Sequence, residues 1–228
     1  MGESCKVSHP VPLVTVTVNA SGAAAAARQG LVVVIVDVID MSTTAEGLLE
    51  AGAAAVIGAS PDQTRAPVAV QPRQRGMEAG QKARELGTGV ILVSEPRYGQ
   101  EEERRARCQK ALAGLAETGL TPELVLPNLG AETAKMADFA GKVILLVSDT
   151  GGVAYDAAVT AGAPAVLTAT IARTIGRRGT EPARLGAERA RLKARELGTG
   201  VAVVAASGNS LEDVLAAEYI GRLLLESP

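Results

Sequence analysis

The nonapeptide Lys-Ala-Arg-Glu-Leu-Gly-Thr-Gly-Val stands twice in the chain, at Lys82–Val90 and again at Lys193–Val201, a step of 111 residues. Ala51-Gly-Ala-Ala-Ala-Val-Ile57 returns as Ala161-Gly-Ala-Pro-Ala-Val-Leu167, a step of 110. Two matches at nearly one spacing indicate an internal duplication, with a period too long for a solenoid repeat. The chain therefore reads as one domain over 1–228, built from two half-repeats at about 31–100 and 142–210 around a pseudo-twofold axis. Residues 32–90 are expected to superpose on 142–201 strand for strand. A site where the halves meet would draw on both, and positions that differ mark where they have specialised.

The residues available for the core narrow the architecture. Of the 228 residues 47% are hydrophobic, yet aromatics make up only 2%, with no Trp. The interior must be Val, Leu, Ile and Ala, which suits a Val-rich sheet covered by Ala-rich helices. So few aromatics leave no stacking platform for single-stranded nucleic acid. A net charge of −2 gives no reason to expect a polyanionic partner. Cys5 and Cys108 make neither a metal spacing nor a disulfide framework. The longest apolar run, Leu31–Ile39, is too short to span a bilayer, and no signal peptide is evident. The expectation is a soluble, cytoplasmic protein without nucleic-acid or membrane partners.

Leu13–Val18 alternates valine with threonine, the pattern of a strand at an edge or in antiparallel pairing. Leu31–Ile39 is a β-branched run expected to be buried on both faces. Further strands are expected at Ala53–Ile57, Val90–Val93, Leu124–Leu126, Val143–Val147, Ala165–Leu167 and Val201–Ala205. A short one is admitted at Val68–Val70 within the proline-rich segment Ser60–Arg75. Helices are expected at Ala23–Gln29, from Thr44 to Gly52, and at Glu78–Leu86, Gln100–Glu117, Gly152–Ala161, Glu181–Leu197 and Leu211–Leu225. Strands alternating with helices imply an α/β fold, a three-layer α/β/α domain with a mostly parallel sheet.

In such sheets ligands collect where strands end and helices begin. Four polar loops meet that description: Asp37–Thr44, Ser94–Gly99, Ser148–Gly152 and Ser207–Asp213. Asp37 closes a buried strand and needs a cation or a set of donors there. Ser42, Thr43 and Thr44 open a helix and can bind an anion or simply cap it. Asp37 aligns with Val147 of the second half and Ser42 with Gly152, so the acid and hydroxyl set belongs to the first half. Glu95 and Arg97 can move a proton and fix an oxyanion, or form a salt bridge. Asp149 and Thr150 fit an anion-binding turn or a helix start, and Asp213 opens the last helix. The sole histidine, His9, stands near the N-terminus, so a Ser-His triad lacks an obvious base and zinc lacks ligands. Chemistry is left to carboxylates, hydroxyls and a hard cation such as Mg²⁺.

Val33-Val-Ile-Val-Asp37-Val-Ile-Asp40-Met-Ser42-Thr43-Thr44 with Leu48-Leu-Glu-Ala-Gly52-Ala resembles the first signature of the 2-phosphosulfolactate phosphatase family. Ser210-Leu-Glu212-Asp213-Val-Leu-Ala-Ala217 resembles its last. Ser94-Glu95-Pro-Arg97 is similar to its Gly-Glu-Arg segment, Asn128 falls near its Gly-Asn-Ser-Pro segment, and Asp149-Thr150-Gly151 holds the place of its Asn-Gly-Thr turn. The chain departs at Asp40, where the family pattern has an arginine.

The resemblance implies a Mg²⁺-dependent phosphatase of coenzyme M biosynthesis acting on a small phosphorylated acid. Asp37 and Glu95 would be catalytic and hold the metal, with Asp213 as a further catalytic residue. Ser42, Thr43, Thr44, Arg97 and Thr150 would bind substrate. A homodimer is the expected assembly. The alternative is a non-catalytic ligand-binding or regulatory protein that keeps the fold.

Overall fold

A computed structural model describes residue 11 and residues 13–226; Cys5 and His9 lie outside the described residues. The first copy runs β1 (Val14–Val18), α1 (Asn19–Arg28), β2 (Val32–Val36), α2 (Met41–Glu50), β3 (Ala55–Ala59), α3 (Pro72–Leu86), β4 (Val90–Ser94), α4 (Glu101–Ala106) and α5 (Gln109–Glu117). The second runs β5 (Leu124–Pro127), a 3-10 turn (Gly130–Lys135), β6 (Val143–Val147), α6 (Gly151–Thr160), β7 (Val166–Thr168), α7 (Glu181–Leu197), β8 (Val201–Ala205) and α8 (Leu211–Leu225). The nonapeptide is the end of α3 or α7 and the start of the next strand. In both copies its first glycine, Gly87 or Gly198, takes the left-handed conformation that closes the helix.

All the strand pairs are parallel, as the alternation of elements requires, and β1 is an edge strand. The strands divide into two four-stranded sheets, ordered β1-β8-β2-β7 and β5-β4-β6-β3. Matching β1 with β5, β2 with β6, β3 with β7 and β4 with β8 turns one order into the other. Register follows: Val32 stands opposite Val201 in the first sheet, and Val143 opposite Val90 in the second. Each sheet thus contains two strands from each copy.

Helix packing explains the exchange. The helix α2 leaves β2 of the first sheet but packs Met41, Ala45 and Leu48 on Ile91, Ile144 and Leu146 of the second. Conversely, α6 leaves β6 of the second sheet and lays Ala154 and Ala158 on Val33 and Ile35 of the first. The strands β2, β4, β6 and β8 are buried along their whole length, which their unbroken aliphatic sequences permit.

Three local expectations are corrected. The run Leu31–Ile39 is strand only over Val32–Val36, because Asp37–Asp40 turn towards α2. Val68–Val70 forms no strand; Val68 and Val70 pack instead against α1 and α6. Gln100–Glu117 is two helices, because the Asp62 carboxylate accepts the amides of Gln109 and Lys110 and restarts the helix there. Among the described residues no helix is long and apolar enough to cross a membrane.

Candidate functional site

The crossing loops 37–40 and 148–150 meet at the carboxyl ends of β2 and β6, a position where parallel sheets gather ligands. Register makes Ser148, not Val147, the counterpart of Asp37, since Val36 and Val147 close equivalent strands. Ser42 still answers to Gly152, each being the second residue of its helix. The second loop is therefore one residue shorter, and the acid at the strand's end belongs to the first copy.

Asp37 is buried, and its carboxylate reaches across to the other copy. Its Oδ2 accepts the Gly151 amide at 2.7 Å and the Thr150 hydroxyl at 2.9 Å, while Oδ1 accepts the Asp40 amide at 3.1 Å. The carboxylate stands at the start of α6, where the helix dipole favours an anion. Burial nevertheless raises its pKa to about 6, with Asp213 adding repulsion and the Thr150 hydroxyl opposing the rise. Asp213 reaches the same loop from the first turn of α8. Its oxygens accept the amides of Val38 and Ser207, and burial raises its pKa too.

The hydroxyls that open α2 face inward. Ser42 donates to the Ile35 carbonyl and accepts the Asp37 amide. Thr43 donates to the Val38 carbonyl, within reach of the Thr170 hydroxyl. Thr44 donates to Asn128 Oδ1. All three residues are buried, so as placed they shape the loop rather than line an opening.

A second cluster lies at the end of β4. Asn128 relays the Thr44 contact outward, donating from Nδ2 to Glu95 Oε1 at 2.8 Å. The other oxygen, Glu95 Oε2, is buried with no hydrogen-bond partner. Burial pushes the Glu95 carboxyl up to about 7, the Asn128 amide opposes this, and the charges of Asp149 and Asp40 add to it. Two ion pairs flank Glu95. Arg97 joins Asp40 and also donates to the Ile39 carbonyl, and Arg107 joins Asp149. Buried Cys108 donates to Ser94 beneath, its thiol pushed up to about 12 by burial.

Arg107 and Asp149 also line a cavity of about 470 Å³, with Pro61, Gln63, Thr64, Arg65, Ala66 and Val153. Arg65 is exposed and has no ion pair among the described residues. The Thr64 hydroxyl is buried there without a partner, and so is that of Ser148, the residue after β6. Neither Arg65 nor Arg107 is among the residues expected from the sequence. The loop after β3 sits at a carboxyl end like the four loops named above, and the same rule points to Arg65. Arg107 was hidden inside an apparently continuous helix.

Mg²⁺ takes oxygen ligands, usually one or two carboxylates with water and phosphate. The residues present do not fit an Asp37–Glu95 magnesium centre. Asp37 is already satisfied by three donors, and Asp40 and Asp149 are held by guanidinium groups, which leaves Oε2 of Glu95. Among the described residues no three His, Cys, Asp or Glu side chains gather as a metal-holding group. Comparison of the chain with protein-family models and with curated proteins finds no match.

Proposed function

We propose that the chain is a hydrolase of a small anionic phosphoester, with Glu95 as the proton-transfer group and Arg65 and Arg107 as the anion-binding pair. One observation carries this reading: a carboxyl with a buried free oxygen, raised towards neutrality, whose charged neighbours Arg107 and Asp149 line a cavity of small-molecule size. A carboxyl in that range is matched to general acid–base work at neutral pH. Fixed guanidinium groups stabilise the charge on a transferring phosphoryl group. In the reaction water attacks phosphorus, the ester P–O bond breaks, and Glu95 passes the water's proton to the departing alcohol oxygen. Asp37, Asp213 and Asn128 act by holding the loops that present these groups.

The resemblance to the 2-phosphosulfolactate phosphatase family supports the choice of a phosphoester. Its pattern places an arginine at position 40, and here Arg97 brings a guanidinium to the same spot by pairing with Asp40.

The test is phosphate release from a panel of phosphorylated hydroxy acids, with and without Mg²⁺, over a range of pH. Glu95→Gln should lower kcat/KM by about 10²–10⁴-fold and remove a pH limb near 7. Arg65→Met should act mainly on KM. Ligand-induced thermal stabilisation without turnover at any pH would favour the non-catalytic binding protein instead. An unaltered rate in Glu95→Gln would remove the catalytic assignment.

A further inference from the structure

The outer edges of the two sheets are pseudo-equivalent in position and different in character. The edge strand β5 is short: it has only four residues, ends on Pro127 and follows Pro122 and the charged Glu123. Short length and charge are among the usual means of keeping an edge from pairing. The other edge, β1, also follows a proline, Pro12, but it is one residue longer and has no charged residue within it or beside it. Its sequence is Val-Thr-Val-Thr-Val, and among the described residues it pairs only with β8. The Leu13 carbonyl accepts the Val201 amide, so alternation turns the backbone N–H and C=O groups of Val14, Val16 and Val18 away from β8, towards the open side. Val16 is 45% exposed there.

We infer that β1 is the interface of a twofold homodimer in which it pairs antiparallel with β1 of a second copy about Val16. The strand reads the same in both directions, so this register places Val14 opposite Val18, Thr15 opposite Thr17 and Val16 opposite itself. Such self-complementarity is what an isologous contact requires. It also sets apolar side chains against apolar ones on one face and threonines against threonines on the other.

A second observation points the same way. The helix α8 packs over β1 and β8, with Gly221 against Val16. Its uncovered side carries Leu211, Leu215, Glu218, Arg222 and Leu225 at helical spacing. Neither Glu218 nor Arg222 has an ion pair among the described residues. An axis normal to the sheet brings the two α8 helices together antiparallel. Glu218 of each copy then faces Arg222 of the other, and Leu215 faces Leu225. The second copy offers complementary charge as well as a complementary strand.

The full chain carrying Cys5→Ser, with Cys108 buried as its other thiol, is the material for the test. Light scattering after size exclusion should give a dimer mass. Val16→Lys should weaken dimerisation at least tenfold. Val16→Cys should form an intermolecular disulfide on mild oxidation, since opposed hydrogen-bonded residues in an antiparallel pair stand about 5.5 Å apart at Cα, within disulfide reach. Leu192→Cys, exposed on α7, should not cross-link. Glu218→Arg should weaken the dimer, and Glu218→Arg with Arg222→Glu should restore it, independently of any folding defect in the Val16 variants. A monomer at all concentrations overturns the inference, including one whose β1 edge is covered by its own first ten residues. So does a dimer indifferent to Val16→Lys, or a failure of the Val16→Cys protein to cross-link.

Discussion

The crossing loops 37–40 and 148–150 do the same topological work with different chemistry. Each follows the buried strand at equivalent register and hands the chain to a helix that covers the opposite sheet. The first is longer and sends a carboxylate into the second. The second begins its helix with two glycines, and neither could carry a side chain. A Cβ on Gly151 would stand 2.5 Å from Asp37 Oδ2, and one on Gly152 would overlap the Ala59 carbonyl oxygen. The copies differ in a complementary way: one carries a reaching group, and the other has no side chain where that group and the neighbouring strand approach.

The most damaging way to break this complementarity is to give the second copy the first copy's serine. Gly152→Ser forces a side chain against backbone, which cannot swing aside as a flexible side chain would. A loss of about 3 kcal/mol in unfolding free energy is expected, at the upper end of overpacking costs. Urea denaturation measures it, with Ser42→Gly as the reciprocal change. A Gly152→Ser protein as stable as the parent would mean that the halves differ here by drift rather than by contact.

Much of this architecture was legible beforehand because it rests on short-range pattern. The repeated nonapeptide fixed the equivalence of α3 and α7, and unbroken aliphatic runs identified the buried strands. The division into two sheets was not legible. It depends on which sheet α2 and α6 cover, and Met41, Ala45 and Leu48 read as one apolar stripe whichever sheet they meet. The site divides similarly. Asp37 and Glu95 stood out as carboxylates ending apolar strands, and both have raised pKa values through burial. Whether Ser42, Thr43 and Thr44 faced a ligand or the interior was a matter of a few ångströms that no spacing encodes. Arg107 could not be seen as a cavity residue without knowing that Asp62 interrupts its helix.

A milder perturbation sharpens the comparison at Asp37, the group that Ser148 replaces in the other copy. Its pKa is raised from 3.8 to about 6, so the folded protein holds this proton more tightly than the unfolded chain. Between those values the native state binds more protons, and stability must fall as pH rises. The contribution is full below about pH 4 and has gone above about pH 7. Between pH 4 and pH 6 the loss is about 2 kcal/mol, taking 1.36 kcal/mol per pKa unit. Unfolding curves of the parent and Asp37→Asn across this range isolate it by difference. A difference that is flat, or that grows with pH, would mean that the three donors outweigh burial and hold the carboxylate ionised.

The smallest expected effect on stability concerns the one feature the two loops share. Each carries an acid that holds an arginine, Asp40 with Arg97 and Asp149 with Arg107. All four side chains are at least one-third exposed, so each pair is screened by water and contributes no more than about 1 kcal/mol. Asp40→Asn and Asp149→Asn should therefore leave the unfolding midpoint nearly unchanged. Their effect on anions should be larger than their effect on folding, because each releases a guanidinium beside Glu95. Inorganic phosphate is the probe, titrated calorimetrically at low salt and again at high salt, where an exposed charge loses most of its reach. Tighter binding in both variants would make the loops equal partners in holding the anion. Tighter binding in Asp149→Asn alone would assign that role to Arg107 and the cavity it lines, and leave Arg97 as a brace for the first loop.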